Sequence, residues 1–362
     1  MDAAPAADCR RQGLRVGRRI GAGGFSTVYA AIDELTNEHV AVKLTRPPNR
    51  PSVLSVHNEI VALEELGDLP HVVSMRRHFA CRSTAEPRHI VVMDLVRGSE
   101  LFSIVQQRSR LLEPQARKII HQVLESVAAM HRRGWVHRDL KLENVITDPR
   151  TNDSKIIDFG FAVRQTEAGP NCRGVIGTAQ YVAPEVIWDA HYDGRAVDMF
   201  AVGVMMYVML YGSYPFKRGN FGVAEHMRSA DKREFSATYR FPHRPTVSEE
   251  AKSFMRSLLA SAPADRPTAE QALRDQTWVR HPDYEPTCDF PCEPQEVEEE
   301  EAEPPLPLPH TVSEIGTPMT PRQSSAREPS GSGSPMAAWA RSNVDWARSK
   351  TTDVFGRLLF HS

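Results

Sequence analysis

Between Leu14 and about His281, strand-like and helix-like patterns of apolar residues alternate, with short loops between them. Val40-Ala41-Val42-Lys43-Leu44 and His89-Ile90-Val91-Val92-Met93 are short, β-branched, apolar runs of the kind that form buried strands. Between them, His57 to Leu66 places Ile60, Leu63 and Leu66 on one helical face. After Gly98 the helical period takes over. Pro114 to Met130 carries Ile119, Ile120, Val123, Leu124, Val127 and Met130 at helical spacing. Met199 to Leu210 is an almost unbroken apolar run, too short to cross a bilayer, and predicts a buried helix. A strand-rich part followed by a helix-rich part predicts an α+β architecture: a small sheet lobe, a larger helical lobe and a ligand cleft between them.

The flanks read differently. Residues 1–13 are rich in Ala and Arg without periodicity and predict a disordered tail. From Pro282 onward come acids at Glu296, Glu298 to Glu301 and Glu303, then the Pro-rich stretch Pro304 to Pro309, then Ser, Thr, Pro and Gly up to Ser334. Such a segment cannot bury enough apolar surface to offset its ordering entropy, so 282–335 predicts a disordered linker. Pro304-Pro305-Leu306-Pro307 would serve an SH3-type domain or act as a stiff spacer. Residues 336–362 regain apolar anchors, among them Trp339, Trp346, Phe355 and Leu358, interspersed with Arg341, Arg348, Lys350 and Arg357. A basic amphipathic segment of this kind has two open readings, an intramolecular regulatory element or a docking element for a partner such as calmodulin.

Composition narrows the class. The 362 residues carry a formal net charge of -2, which gives no footprint for nucleic acid. The five cysteines are scattered and odd in number, pointing to reduced thiols in an intracellular protein, cytoplasmic or nuclear. Cys288 and Cys292 are spaced C-x3-C without a second ligand pair, so no zinc site is expected there. Met1 to Asp8 has neither the basic start nor the apolar core of a signal peptide.

The chemistry is concentrated in a few short stretches. His137-Arg138-Asp139-Leu140-Lys141-Leu142-Glu143-Asn144 holds a proton acceptor, a phosphate-binding cation and a metal-binding amide within eight residues, the parts that phosphoryl transfer needs. Gly21-Ala22-Gly23-Gly24-Phe25-Ser26-Thr27-Val28 lies between two strand-like segments, where missing Cβ atoms let backbone N–H groups approach phosphate oxygens. Lys43 ends a strand just beyond it and needs a carboxylate to hold it. Glu59 on the following helix is the candidate, with Glu64 and Glu65 nearby on the same helix. Asp158-Phe159-Gly160 follows a strand-like Lys155-Ile156-Ile157.

In this order the motifs resemble those of a protein kinase domain of the serine/threonine type, over residues 14–281, with an N-lobe at 14–94 and a C-lobe at 98–281. Arg97 to Phe102, Val247 to Lys252 and Arg266 to Leu273 are similar to the calcium/calmodulin-dependent protein kinase group. The resemblance implies ATP and Mg2+ as cofactors. It implies Asp139 as base, Lys141 on the transferring group, Asn144 and Asp158 on the metal, and Lys43 with Glu59 on the phosphates. Around the adenine it implies Met93 as gatekeeper, backbone groups of Asp94 and Val96, and apolar surface from Val28, Ala41, Val145 and Ile146. It also implies a pair of carboxylates, Glu100 and Glu143, for an arginine in an Arg-x-x-Ser/Thr substrate. Ser26 stands where the family pattern has a third glycine. Ala183-Pro184-Glu185 is expected to pair with Arg266, Asp198 to hold the catalytic-loop backbone, and Thr178 to contact Asp139. Arg173-Gly174-Val175-Ile176 offers no hydroxyl where an activating phosphate would sit, so activity without loop phosphorylation is expected. The alternative is a pseudokinase scaffold, which would have lost Lys43, Asp139, Asn144 or Asp158; all four are present.

Overall fold

The computed structural model describes residues 1, 3–22, 26–45, 50–82, 88–165, 171–216 and 239–280. Five antiparallel strands form the N-terminal sheet: β1 (Leu14–Ala22), β2 (Ser26–Asp33), β3 (Glu38–Thr45), β4 (Met75–Cys81) and β5 (Arg88–Asp94), in the order β1-β2-β3-β5-β4. Strand alternation divides β3 between two cores. Val40, Val42 and Leu44 join Leu14, Ala31, Ile90 and Val92 in a cluster on the outer face. Ala41 joins Val91 and Met93 on the inner face, in the core shared with the rest of the molecule. Lys43 has the parity of Ala41, so its side chain goes inward.

The outer face is covered by a helix that the sequence did not reveal. Residues 1–13 are not a featureless tail: Ala3–Arg11 forms α1, with Cys9 fully buried in the outer cluster. The inward positions of α1 are Pro5, Asp8 and Cys9, a helical i, i+3, i+4 face with only one side chain that reads as an ordinary core residue. Asp8 accepts a hydrogen bond from the Cys81 thiol at 3.0 Å and pairs with Arg11. The burial comes from the sheet, which explains why no hydrophobic period marks this segment.

Helix α2 (Arg50–Leu66) starts earlier than its apolar spacing suggests and lays Ile60, Leu63 and Leu66 on the inner core. The C-lobe follows with a strand β6 (Ser99–Glu100) and helices α3 (Leu101–Arg108) and α4 (Glu113–Arg132). The apolar face predicted for α4 is the buried one. Short strands β7 (Trp135–Val136), β8 (Val145–Thr147), β9 (Ser154–Ile156) and β10 (Val163–Arg164) carry the loops of the cleft. Beyond them lie α5 (Pro184–Trp188), α6 (Gly194–Tyr211), α7 (Glu249–Leu258), α8 (Ala269–Asp275) and α9 (Thr277–Arg280). At 18 residues α6 is longer than its apolar run, and by length and composition it could span a bilayer. With 89% of that stretch buried inside the protein, it is a core helix. It starts at Asp193, whose carboxylate accepts from the Arg195 N–H, and stops at Gly212. Gly212 has φ 68°, and a Cβ there would sit 2.0 Å from the Ser109 carbonyl, so only glycine fits. The tail beyond 280, including Cys288, Cys292 and the 336–362 segment, lies outside the described residues.

Candidate active site

Inner-face parity delivers the Lys43 ammonium to two carboxylates. It donates to Glu59 on α2 and, at 2.9 Å, to Oδ1 of Asp158. Lys43 and Glu59 are almost completely enclosed, whereas the Asp158 side chain keeps two-fifths of its surface exposed. Burial alone would push the lysine down; the Asp158 and Glu59 carboxylates outweigh it and hold the group above its ordinary value. Burial would also raise Asp158, but the Lys43 charge and hydrogen bond, with the Gly160 N–H at 3.1 Å, hold its carboxyl well below the usual range. Glu59, the more enclosed of the two acids sharing one ammonium, is pushed up by its burial. Glu64 instead faces His78 at 3.5 Å, and Glu65 is engaged elsewhere.

The loop from His137 to Asn144 is held from below. Asp198, fully buried on α6, accepts from the backbone N–H of His137 at 2.9 Å and of Arg138 at 2.8 Å, and from His131 Nε2 at 2.9 Å. Arg138 has φ 64°, a left-handed conformation that costs energy in a side-chain-bearing residue. The Asp198 carboxylate offsets that cost and turns Asp139 into the cleft. Burial pushes the His137 imidazole down, so the ring is neutral and its Nδ1 accepts the Asp139 N–H at 3.2 Å.

Around Asp139 the expected neighbours meet. Lys141 Nζ donates to Oδ2 at 2.7 Å, Thr178 Oγ1 to Oδ1 at 2.8 Å, and Lys141 also reaches Thr178 at 2.7 Å. Thr178 arrives because Gly177, at φ 109°, lets its segment pass close to the loop; a Cβ there would lie 2.8 Å from the Arg138 carbonyl. Asn144 donates its Nδ2 to the Asp139 carbonyl at 2.8 Å, which turns its amide oxygen the other way. The β8–β9 hairpin sets Val145 opposite Ile156 and so brings Asn144 and Asp158 to the same end of the hairpin. Their carboxylate and amide oxygens are hard donors suited to Mg2+. No group of three or more His, Cys, Asp or Glu side chains fit for a metal occurs among the described residues. A small oxygen set is what Mg2+ needs when phosphates complete its shell.

The proposed adenine surroundings divide. Ala41 and Met93 are buried in the shared core, with Val28 and Val96 half-buried against it. The Asp94 N–H is taken by the Ser74 carbonyl at 3.0 Å, so Asp94 would offer its own carbonyl to a base. Val145, implied as apolar surface, is fully buried in the C-lobe core. Alternation in β8 puts its half-buried neighbour Ile146 on the other face, so of the pair Ile146 has surface to offer. Gly21 and Ala22 end β1 opposite Val28 and Thr27, and Ser26 opens β2; Gly23, Gly24 and Phe25 lie outside the described residues. Glu100 sits on β6 opposite Ile146, and Glu143, half-buried, accepts from the Tyr181 hydroxyl at 3.4 Å. The Glu185–Arg266 pair is bidentate, at 2.6 and 2.9 Å, and fully enclosed, with the guanidinium over Phe200.

Residues 14–279 match the model of the protein kinase domain. The chain belongs to the protein kinase family. The chain is 35% identical over 269 residues to human calcium/calmodulin-dependent protein kinase type 1B, covering 72% of this chain and 73% of that one. It is 34% identical over 270 residues to CBL-interacting protein kinase 3 of Oryza sativa subsp. japonica, covering 73% and 57% respectively. A probable myosin light chain kinase of Dictyostelium discoideum is 33% identical over 260 residues, covering 71% and 79%. The aligned region thus spans little more than half the length of the rice relative.

Four neighbours had no sequence signal: His131 behind Asp198, and Glu65 with Trp135 and Arg164. The partners are separated by 67 to 99 positions, beyond the reach of any local pattern.

Proposed function

We propose that the chain is a serine/threonine protein kinase transferring the γ-phosphoryl group of ATP to protein hydroxyls. The observation that carries this reading is the meeting of Lys43, Glu59 and Asp158 beside Asp139, Lys141, Thr178 and Asn144. Phosphoryl transfer asks for positioning and charge stabilisation more than for covalent chemistry, and this set supplies both. Lys43, kept charged by its two acids, would hold the α- and β-phosphates. Asp158 and Asn144 would hold Mg2+, which would supply positive charge against the phosphates. Asp139 would orient the attacking hydroxyl and take its proton. Lys141, already within reach of Asp139 and Thr178, would stabilise charge on the transferred group.

Glu100 and Glu143, on adjoining segments, support a preference for Arg-x-x-Ser/Thr, through a charge-assisted site for the arginine. Activity without activation-segment phosphate is part of the reading, as are an intracellular setting, in keeping with Cys9, Cys81 and Cys172 standing outside any disulfide, and a regulatory or docking role for 336–362.

The test is transfer from ATP to an Arg-x-x-Ser peptide by unphosphorylated full-length protein, with and without calcium–calmodulin. An Asp139→Asn variant serves as control and loses about 10²- to 10⁴-fold in rate. Transfer only with calmodulin would place the switch in the tail. No transfer under either condition would refute the reading.

A further inference from the structure

Glu65 lies one residue from the end of α2, and its carboxylate gathers the two strands that flank the cleft chemistry. Trp135 Nε1 donates to it at 2.9 Å, and the Arg164 guanidinium donates to both of its oxygens. Trp135 belongs to β7, which runs directly into His137, and Arg164 to β10, which leaves the Asp158-Phe159-Gly160 stretch. The two strands pair, Arg164 opposite Trp135, and the guanidinium lies over the indole ring at 5.2 Å. Arg133 adds a second tie, donating to the Glu65 carbonyl and to Asp68 just past the helix end. The Trp135 hydrogen bond first, then the Arg164 contact, hold the Glu65 carboxyl below its ordinary value, so it is charged at neutral pH.

Glu65 lies six positions after Glu59, about 9 Å along a rigid helix. Fixing the end of α2 therefore fixes the carboxylate that meets Lys43. The Arg173 to Ile176 stretch has no hydroxyl for a phosphate that would organise the segment. We propose that Glu65, with Arg164 and Trp135, is a positioning clamp that fastens α2 to the catalytic loop and the activation segment, and so keeps Glu59 on Lys43 without phosphorylation. In its kinetic arm this rests on the kinase reading above; its structural arm does not.

The experiment measures native-state hydrogen exchange of the α2 amides from residue 57 to 66, together with kcat and KM for ATP, on full-length unphosphorylated protein. The variants are Glu65→Gln, Arg164→Gln, the double variant and Arg164→Lys, with Lys252→Gln on α7 as an exposed ion-pair control. Each Gln variant is expected to speed exchange in α2 about fivefold and to lower kcat, the double no further than either single. Arg164→Lys should recover about half of the lost protection, because it keeps the charge and loses the planar fork. Melting temperatures should match the control. Wild-type exchange in both single variants, or effects that simply add in the double, would overturn the clamp. A wild-type protein without transferase activity would remove the kinase reading while the exchange data still decide the clamp.

Discussion

Asp198→Asn tests whether the cleft geometry is held from the C-lobe core. In the wild type one carboxylate accepts two backbone N–H groups, from His137 and Arg138, at 2.9 and 2.8 Å. A hydrogen bond to a charged acceptor is worth about 1.5–3 kcal/mol net. Asparagine keeps one acceptor oxygen and turns an N–H toward a donor, so roughly one such bond is lost. Part of that loss returns as Arg138 relaxes from φ 64°, a conformation costing about 1–3 kcal/mol. The expected destabilisation is therefore about 1–2 kcal/mol, small enough for the protein to stay folded. Catalysis should suffer more. Relaxing Arg138 moves Asp139, the next residue, and a misplacement of about 1 Å costs on the order of 100-fold in rate. Lys43, Glu59 and Asp158 make no bond to Asp198, so KM for ATP should stay within about threefold. Steady-state kinetics at saturating ATP, with urea unfolding of the same preparation, separate the two effects. A folded variant with kcat within about threefold of wild type would refute the idea that Asp198 positions the loop.

Two further predictions follow from buried charge. Removing the ammonium by Lys43→Met leaves Glu59 and Asp158 in a site where burial raises both. Wild-type Asp158, with its pKa below the ordinary 3.8, gives stability that is full well above that value and falls as pH drops through it, while the variant's raised acids gain from protonation. The stability gap between the two proteins, measured by urea unfolding, should shrink from about pH 7 to about pH 4; a constant gap would contradict the linkage. Arg266→Ala strands the Glu185 carboxylate, 3% exposed, and should cost about 3–5 kcal/mol, whereas replacing both partners by Met and Leu should cost less; equal losses by thermal unfolding would contradict this.

Much of this was legible in the chain. Short continuous β-branched runs marked β3 and β5, which are buried on both faces, and a 3.6-residue period marked α4, which turns one face to the core. The residues from His137 to Asn144 announced their chemistry because the loop that carries them is contiguous. Other features had no local cause. Helix α1 turns inward a face of Pro, Asp and Cys, and only the apolar outer face of the sheet makes it a packed element. Val145 and Ile146 are equivalent as sequence, and the parity of β8 against the core decided which of them keeps exposed surface. Glu59, Glu64 and Glu65 are three acids on one helix, and their three fates were set by what the C-lobe and the sheet place opposite each. Lys43 and Asp158, 115 positions apart, meet only once both lobes have closed on α2. Periodicity and contiguous motifs depend on near neighbours and are written in the sequence; the partners of a charge depend on the closure of long loops, which only the tertiary structure fixes.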